Sequence, residues 1–150
     1  MPRLDPDSEA AYHKLLESFK SSTFWSTLLS YLSQETSRDK EDNFSTSNAN
    51  LFKSIFQTYE DSFLEIVKPE VIKLCESLEK NQQRAATEVL AGIIRGSKHW
   101  PLNRLQALWS WLIPLLEQTF NSVTPDSLIY WERFLSYVLV SYILKFILYV

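Results

Sequence analysis

The sequence predicts an all-α protein, an α-solenoid or an irregular helical bundle. Three observations carry this reading. Apolar residues recur at i, i+3, i+4 and i+7 along most of the chain, the spacing of a buried helical stripe, and no stretch alternates with period two for long enough to form a strand. The 150 residues include only 2 glycines, too few for folds that depend on many tight turns. Polar corners separate consecutive amphipathic stretches, so successive helices read as antiparallel pairs. With 45% hydrophobic and 22% charged residues, the chain is globular rather than disordered and long enough to bury one core.

The elements follow in order. Asp5 and Pro6 make an N-cap and N1 pair for a first helix with Tyr12, Leu15, Leu16 and Phe19 on one stripe. Ser22 caps a second helix bearing Trp25, Leu28, Leu29 and Leu32, so residues 1–33 form an N-terminal helix pair. Residues 34–48, "QETSRDKEDNFSTSN", are polar and mixed in charge, the composition of a solvated linker. A third helix starts near Ser47 and runs through Leu51, Ile55, Phe56, Tyr59, Phe63 and Val67. Lys68 precedes Pro69 and is disfavoured in helical geometry, so a break is expected there, with Pro69 opening a fourth helix of Val71, Ile72, Cys75 and Leu78. "EKNQQ" is the next corner. The fifth helix carries Ala86, Val89, Leu90, Ile93 and Ile94; the sixth begins at Pro101 and carries Leu105, Leu108, Trp109, Leu112, Leu116 and Phe120. Pro114 lies inside that sixth stripe and should kink it. Thr124 and Pro125 cap a seventh helix, and residues 49–133 make up the repeats.

The densest chemistry lies between Ala85 and Trp109, which holds both glycines, His99, Arg95, Lys98 and Trp100 beside Pro101. A phosphate cradle needs several glycines between a strand and a helix N-terminus, and "GIIRGSK" has neither the glycine density nor the strand. A corner between helices accounts for every one of these residues. Gly96 is expected at C′ in the left-handed conformation, Lys98 and His99 near the negative end of the preceding helix dipole, and Pro101 at the start of the next helix. Gly96, Trp100 and Pro101 therefore read as a structural corner, and Gly92 as a site of close helix packing. His13 and His99 have no metal partner at ligating spacing. Cys75 lies on an apolar helical face and reads as a small core residue. The carboxylates form no catalytic pair. No catalytic residue, cofactor or metal is expected, and the chain reads as a non-enzyme. A net charge of −3 argues against nucleic-acid binding. The single cysteine excludes an internal disulfide and fits a reducing compartment. The opening "MPRLDPDSEA" lacks the apolar core of a signal peptide.

The stretch "QQRAATEVLAGIIRGSKHWPLNRLQALWSWLIPLL" resembles a segment of the giant HEAT-repeat proteasome activators, the proteasome activator complex subunit 4 family. In that family a helix ending in Ala-Gly-Leu/Ile-Ile-Arg-Gly-Ser-Lys-His-Trp precedes a helix that ends in Cys/Ile-Pro-Leu, and Ala91 to Trp100 are similar to it over a long, nearly ungapped stretch. "FWSTLLSYLSQE" and "NLFKSIFQTYEDSFLEIVKPEVIKL" are similar to the family upstream, so the resemblance covers roughly residues 22–131. It implies HEAT/armadillo-like helical repeats, an α-solenoid fragment. It further implies a cap on the α-subunit ring of the core proteasome, promoting ubiquitin-independent degradation of peptides and acetylated histones. Family members occur in nucleus and cytosol and are linked to DNA repair and spermatogenesis.

Residues 134–150, "FLSYVLVSYILKFILYV", are apolar around the whole helix apart from Ser136, Ser141 and Lys145. Here the sequence is expected to depart from the family. Three readings stand: an aberrant end, a packed terminal helix, and a membrane tail, the last slightly short of the about 20 residues a span requires. A small helical protein tethered by this tail is the alternative function, and only the tail could bring a membrane partner. The chain closes on Leu148, Tyr149 and Val150, which fits the hydrophobic-Tyr-any pattern that activators of this type use to dock on the proteasome. Three loosely defined positions carry little information.

Overall fold

The computed structural model describes residues 5–34 and 44–149, with side chains described up to residue 139. Its helices are α1 (Pro6–Phe19), α2 (Ser22–Leu32), α3 (Thr46–Tyr59), α4 (Leu64–Glu76), α5 (Lys80–Gly96), α6 (Leu102–Asn121) and α7 (Leu128–Tyr149), with a 3₁₀ turn at Ser97–His99. No strand occurs among the described residues. The helices stack in two layers. α3, α5 and α7 lie side by side in one, α2, α4 and α6 in the other, α4 packs on α5 between them, and α1 leans on α2. Contact between each helix and the next but one is what stacked helix pairs produce. The fold is an all-α helical-repeat stack.

α5 is the axis of this stack. Every residue from Gln83 to Ile94 is buried, including the predicted stripe of Ala86, Val89, Leu90, Ile93 and Ile94. Helices α3, α4 and α7 share the cover. Small residues on α5 let α3 approach closely: a Cβ on Gly92 would stand 2.4 Å from the Ala49 carbonyl oxygen and 2.6 Å from Phe52 Cβ. The core extends through Trp25, Leu29, Phe52, Phe56, Val67, Val71, Leu108, Leu112, Trp131 and Phe134. Each such large apolar side chain contributes roughly 1.5–3 kcal/mol through burial.

Several expected boundaries move. Asp5 does cap α1, accepting from the Ser8 amide at 2.8 Å, yet of the first stripe only Phe19 is buried, while Tyr12 and Leu15 stay exposed. Ser21, not Ser22, is the N-cap of α2, and it makes no side-chain cap bond. Residues 35–43 of the expected linker lie outside the described residues, and its end belongs to α3, where the Ser45 hydroxyl caps Asn48 N–H at 3.2 Å. α3 stops at Tyr59, and Glu60 takes a positive φ of 53°. Lys68 and Pro69 then sit inside α4 rather than at a break. Val67 and Val71 flank the proline with fully buried side chains, and their packing outweighs one lost amide bond. Leu78 lies past the end of α4, 75% exposed. Gln83, expected in a corner, is a buried residue of α5. α6 runs on through Pro114. Thr124 and Pro125 belong to a turn before α7, closed by Ser127 N–H to the Thr124 carbonyl at 3.0 Å.

Gly96 also departs from expectation. No glycine has a positive φ; Gly96 sits at φ −65°, ψ −26° as the last residue of α5. Its role is space. A Cβ there would stand 2.7 Å from the Lys53 carbonyl oxygen, so glycine is required by α3, not by a left-handed turn. The two explanations predict different substitution orders. A left-handed site accepts asparagine better than alanine, whereas a packing site worsens with bulk. Gly96→Ala is expected to cost about 1–2 kcal/mol and Gly96→Asn more, read from urea midpoints. A milder asparagine variant would restore the turn explanation.

The apolar tail is no separate element. α7 runs unbroken from Leu128 to Tyr149, and Tyr130, Trp131, Phe134 and Val138 are buried on its inner side. As far as its side chains are described, α7 is a packed terminal helix. Among the described residues no helix is long and apolar enough to cross a membrane.

Candidate functional site

Among the described residues no group of three or more His, Cys, Asp or Glu is placed to hold a metal. Cys75 is buried, and desolvation pushes its thiol up to about 12, away from the range of a nucleophile. It lies under a groove of about 340 Å³ between α4 and α6, walled by Ile72, Trp111, Leu115 and Thr119, with Glu76 and Gln118 at the rim. Lys68 stands 5.3 Å from the centroid of the Trp111 ring.

The predicted corner residues meet at α3. Trp100 is buried, its indole N–H donates to the Phe56 carbonyl at 2.8 Å, and its ring lies 6.5 Å from that of Phe56. Pro101 is the N-cap of α6. Arg104, one turn on, pairs with Glu60 just after α3. The corner thus fixes α6 to the end of α3. Leu148 and Tyr149 are the last two residues of α7; their side chains, and Val150 altogether, lie outside the described residues.

Two polar assemblies escaped the sequence. Gln83 donates to the carbonyls of Cys75 at 2.8 Å and Ser77 at 2.7 Å, closing the end of α4, and accepts from Trp131 Nε1 at 2.9 Å. One amide side chain thereby joins α4, α5 and α7. The second assembly centres on Arg84 and Glu88, which are 5% and 1% exposed. Arg84 Nη1 donates to Glu88 Oε1 at 2.8 Å, and Arg84 Nη2 donates to the carbonyls of Leu32 and Gln34 at 3.1 and 3.3 Å. Glu88 also accepts from Ser45 N–H at 2.5 Å and Asn48 Nδ2 at 3.0 Å. This pair holds the end of α2 and the start of α3 over α5. Burial pushes the Glu88 carboxyl above its ordinary range, against the opposing pull of Asn48, Ser45 and Arg84. From the sequence, a carboxylate and a guanidinium at i, i+4 read as a solvated pair; their partners stand 40 to 52 positions away, beyond any local pattern.

What remains open is apolar. On α6, Leu102, Ile113 and Phe120 are exposed along the line of half-buried Leu105, Trp109 and Leu116. On α7, Leu128, Leu135 and Leu139 are exposed on one stripe. α6 and α7 therefore each present an exposed apolar stripe, the kind of surface against which further helices stack in repeat proteins.

Comparison with known proteins agrees with this geometry. A family described as proteasome activator complex subunit 4-like, HEAT repeat-like, matches residues 3–147. The match runs past Phe134, where the sequence was expected to leave the family, so the apolar tail is not an aberrant end on that ground. Proteasome activator complex subunit 4B of Danio rerio is 35% identical over 129 residues, 85% of this chain and 7% of that protein. Proteasome activator complex subunit 4 of Xenopus laevis is 35% identical over 117 residues, 78% of the chain and 6% of the relative. The Homo sapiens protein of that name is 34% identical over 121 residues, 81% and 6%. The chain thus spans less than a tenth of the length of these relatives. A two-layer stack of helix pairs and a match over nearly its whole length place one conclusion beyond the fold: the chain belongs to the HEAT-repeat family of proteasome activator complex subunit 4.

Proposed function

We propose that this chain acts as a segment of the helical-repeat wall of a proteasome activator and carries no catalysis of its own. The observation that supports the reading is the exposed apolar stripes of α6 and α7 at one end of a two-layer helical stack. In this role its partner is the α-subunit ring of the core proteasome, reached through the whole wall rather than through Leu148, Tyr149 and Val150. By family resemblance the wall serves ubiquitin-independent degradation of peptides and acetylated histones, in nucleus and cytosol. Membrane and nucleic acid have no part in it.

The test is a graft. The 121 residues of this chain that align with the Homo sapiens relative replace their counterpart in it, and the chimera is assayed for co-migration with core proteasome and for stimulated hydrolysis of a fluorogenic peptide. The chimera is expected to bind and stimulate, with loss of both when the graft carries Gly92→Leu. A folded chimera that neither binds nor stimulates overturns the reading.

A further inference from the structure

Arg84 and Glu88 stand one turn apart on α5, yet each serves the end of a different helix. Arg84 Nη2 donates to the carbonyls of Leu32 and Gln34, at the C-terminal end of α2. Glu88 accepts from the Ser45 N–H and from Asn48 Nδ2, at the N-terminal end of α3. The last turn of α2 is thereby fully bonded. Its Leu29 and Tyr31 carbonyls accept from the Ser33 and Gln34 amides, that of Ser30 accepts from the Ser33 hydroxyl, and that of Leu32 accepts from Arg84.

The order of the two charges matters. A helix carries partial negative charge at its C-terminus and partial positive charge at its N-terminus, so a cation suits the end of α2 and an anion the start of α3. Within α5 alone the reverse order is the better one, with the acid N-terminal to the base. The neighbouring helix ends account for the order found; α5 by itself does not. Both side chains are nearly sealed from water, which strengthens their hold on those ends.

The two ends are thus held by side chains of a third helix as well as by the chain that joins them. Packing adds to the hold on α2. Trp25 and Leu29 are buried, and the Trp25 ring lies 6.2 Å from those of Phe52 on α3 and Phe63 just before α4.

We propose that the α1–α2 pair docks on the α3–α7 stack as a separate unit, with Arg84 and Glu88 as an oriented clasp on its end, so that covalent continuity between Gln34 and Phe44 is not needed to hold it. The inference concerns packing within the chain and stands apart from the proteasome reading.

The full chain, with the recognition sequence of a specific protease inserted between Arg38 and Asp39, is purified and then cut. The two pieces are expected to co-elute from gel filtration at micromolar concentration with the helix signal of the uncut chain. Arg84→Glu with Glu88→Arg keeps the attraction but sets the wrong charge at each helix end, and should release the piece carrying α1 and α2 on cutting. If that variant is not helical before cutting, Arg84→Met with Glu88→Leu takes its place. It leaves no buried charge and should weaken retention of the piece about tenfold, through the bonds to backbone that it gives up. Separation of the cut wild type overturns the docking, and a helical variant that retains the piece as tightly as wild type overturns the clasp.

Discussion

Glu88→Leu is expected to lower the stability of the fold by about 3–5 kcal/mol, the cost of leaving a buried charge without its partner. Arg84 would keep its bonds to the carbonyls of Leu32 and Gln34 but lose the Glu88 carboxylate, its ion-pair partner among the described residues. The Ser45 and Asn48 donors would lose their acceptor as well. Against a typical domain stability of about 5–15 kcal/mol, the variant stands near unfolding.

The pair itself contributes much less than that figure suggests. Burial raises the Glu88 carboxyl above its ordinary range, so the folded state favours the ionised form less than water does. For an acid raised in the fold, folded protein binds more protons than unfolded protein between the two values. The linked term therefore favours the fold most at low pH and declines as pH rises through the folded value. It follows that Arg84→Met combined with Glu88→Leu should be more stable than either single variant, apart from about 1–3 kcal/mol for backbone groups left unbonded. Urea melts of the four proteins decide it. Additive single-site losses in the double variant would show that the two charges do not act as one unit.

This assembly also marks where sequence reasoning ends. Helical class, the apolar stripe of the fifth helix and Cys75 in the core could all be read, because each depends on apolar spacing within one or two turns; that α5 is buried on every side could not. Gly92 was legible as a packing residue for the same reason. Pro69 was misread because the rule about prolines is local, whereas Val67 and Val71 are held in α4 by helices elsewhere in the chain. Gly96 was given the wrong cause: its position at a helix end suggests a turn, and only the Lys53 carbonyl above it reveals the requirement for space. Tyr137 was hidden within an apolar run, and nothing in that run indicates that one tyrosine reaches Asn50, 87 positions away.

Gly92→Ala tests the tightest contact in the stack, and its sign is the informative quantity. Gly92 lies inside α5 with no positive φ, so one general effect favours alanine. Helix propensity contributes about 1 kcal/mol, chiefly because glycine leaves the unfolded chain more flexible. If nothing opposed it, the variant would be more stable than the wild type. What opposes it is α3. The new methyl would stand 2.4 Å from the Ala49 carbonyl oxygen, 2.6 Å from Phe52 Cβ and 2.9 Å from the Lys53 amide nitrogen. Two of those atoms are backbone and the third is fixed to it, so no rotamer change relieves the overlap. α3 must move away from α5 as a body. That displacement acts on the most extensive helix contact in the molecule and on the Phe52 side chain, which is fully buried. It also disturbs the Trp100 bond to Phe56. Overpacking of this kind costs about 1–3 kcal/mol, occasionally more, and here the upper end applies because both surfaces are rigid. The net expectation is a loss of roughly 2 kcal/mol, with Gly92→Leu failing to fold. A melting temperature equal to or above wild type for Gly92→Ala would mean that α3 and α5 do not approach as closely as described, and the stack drawn around α5 would have to be redrawn.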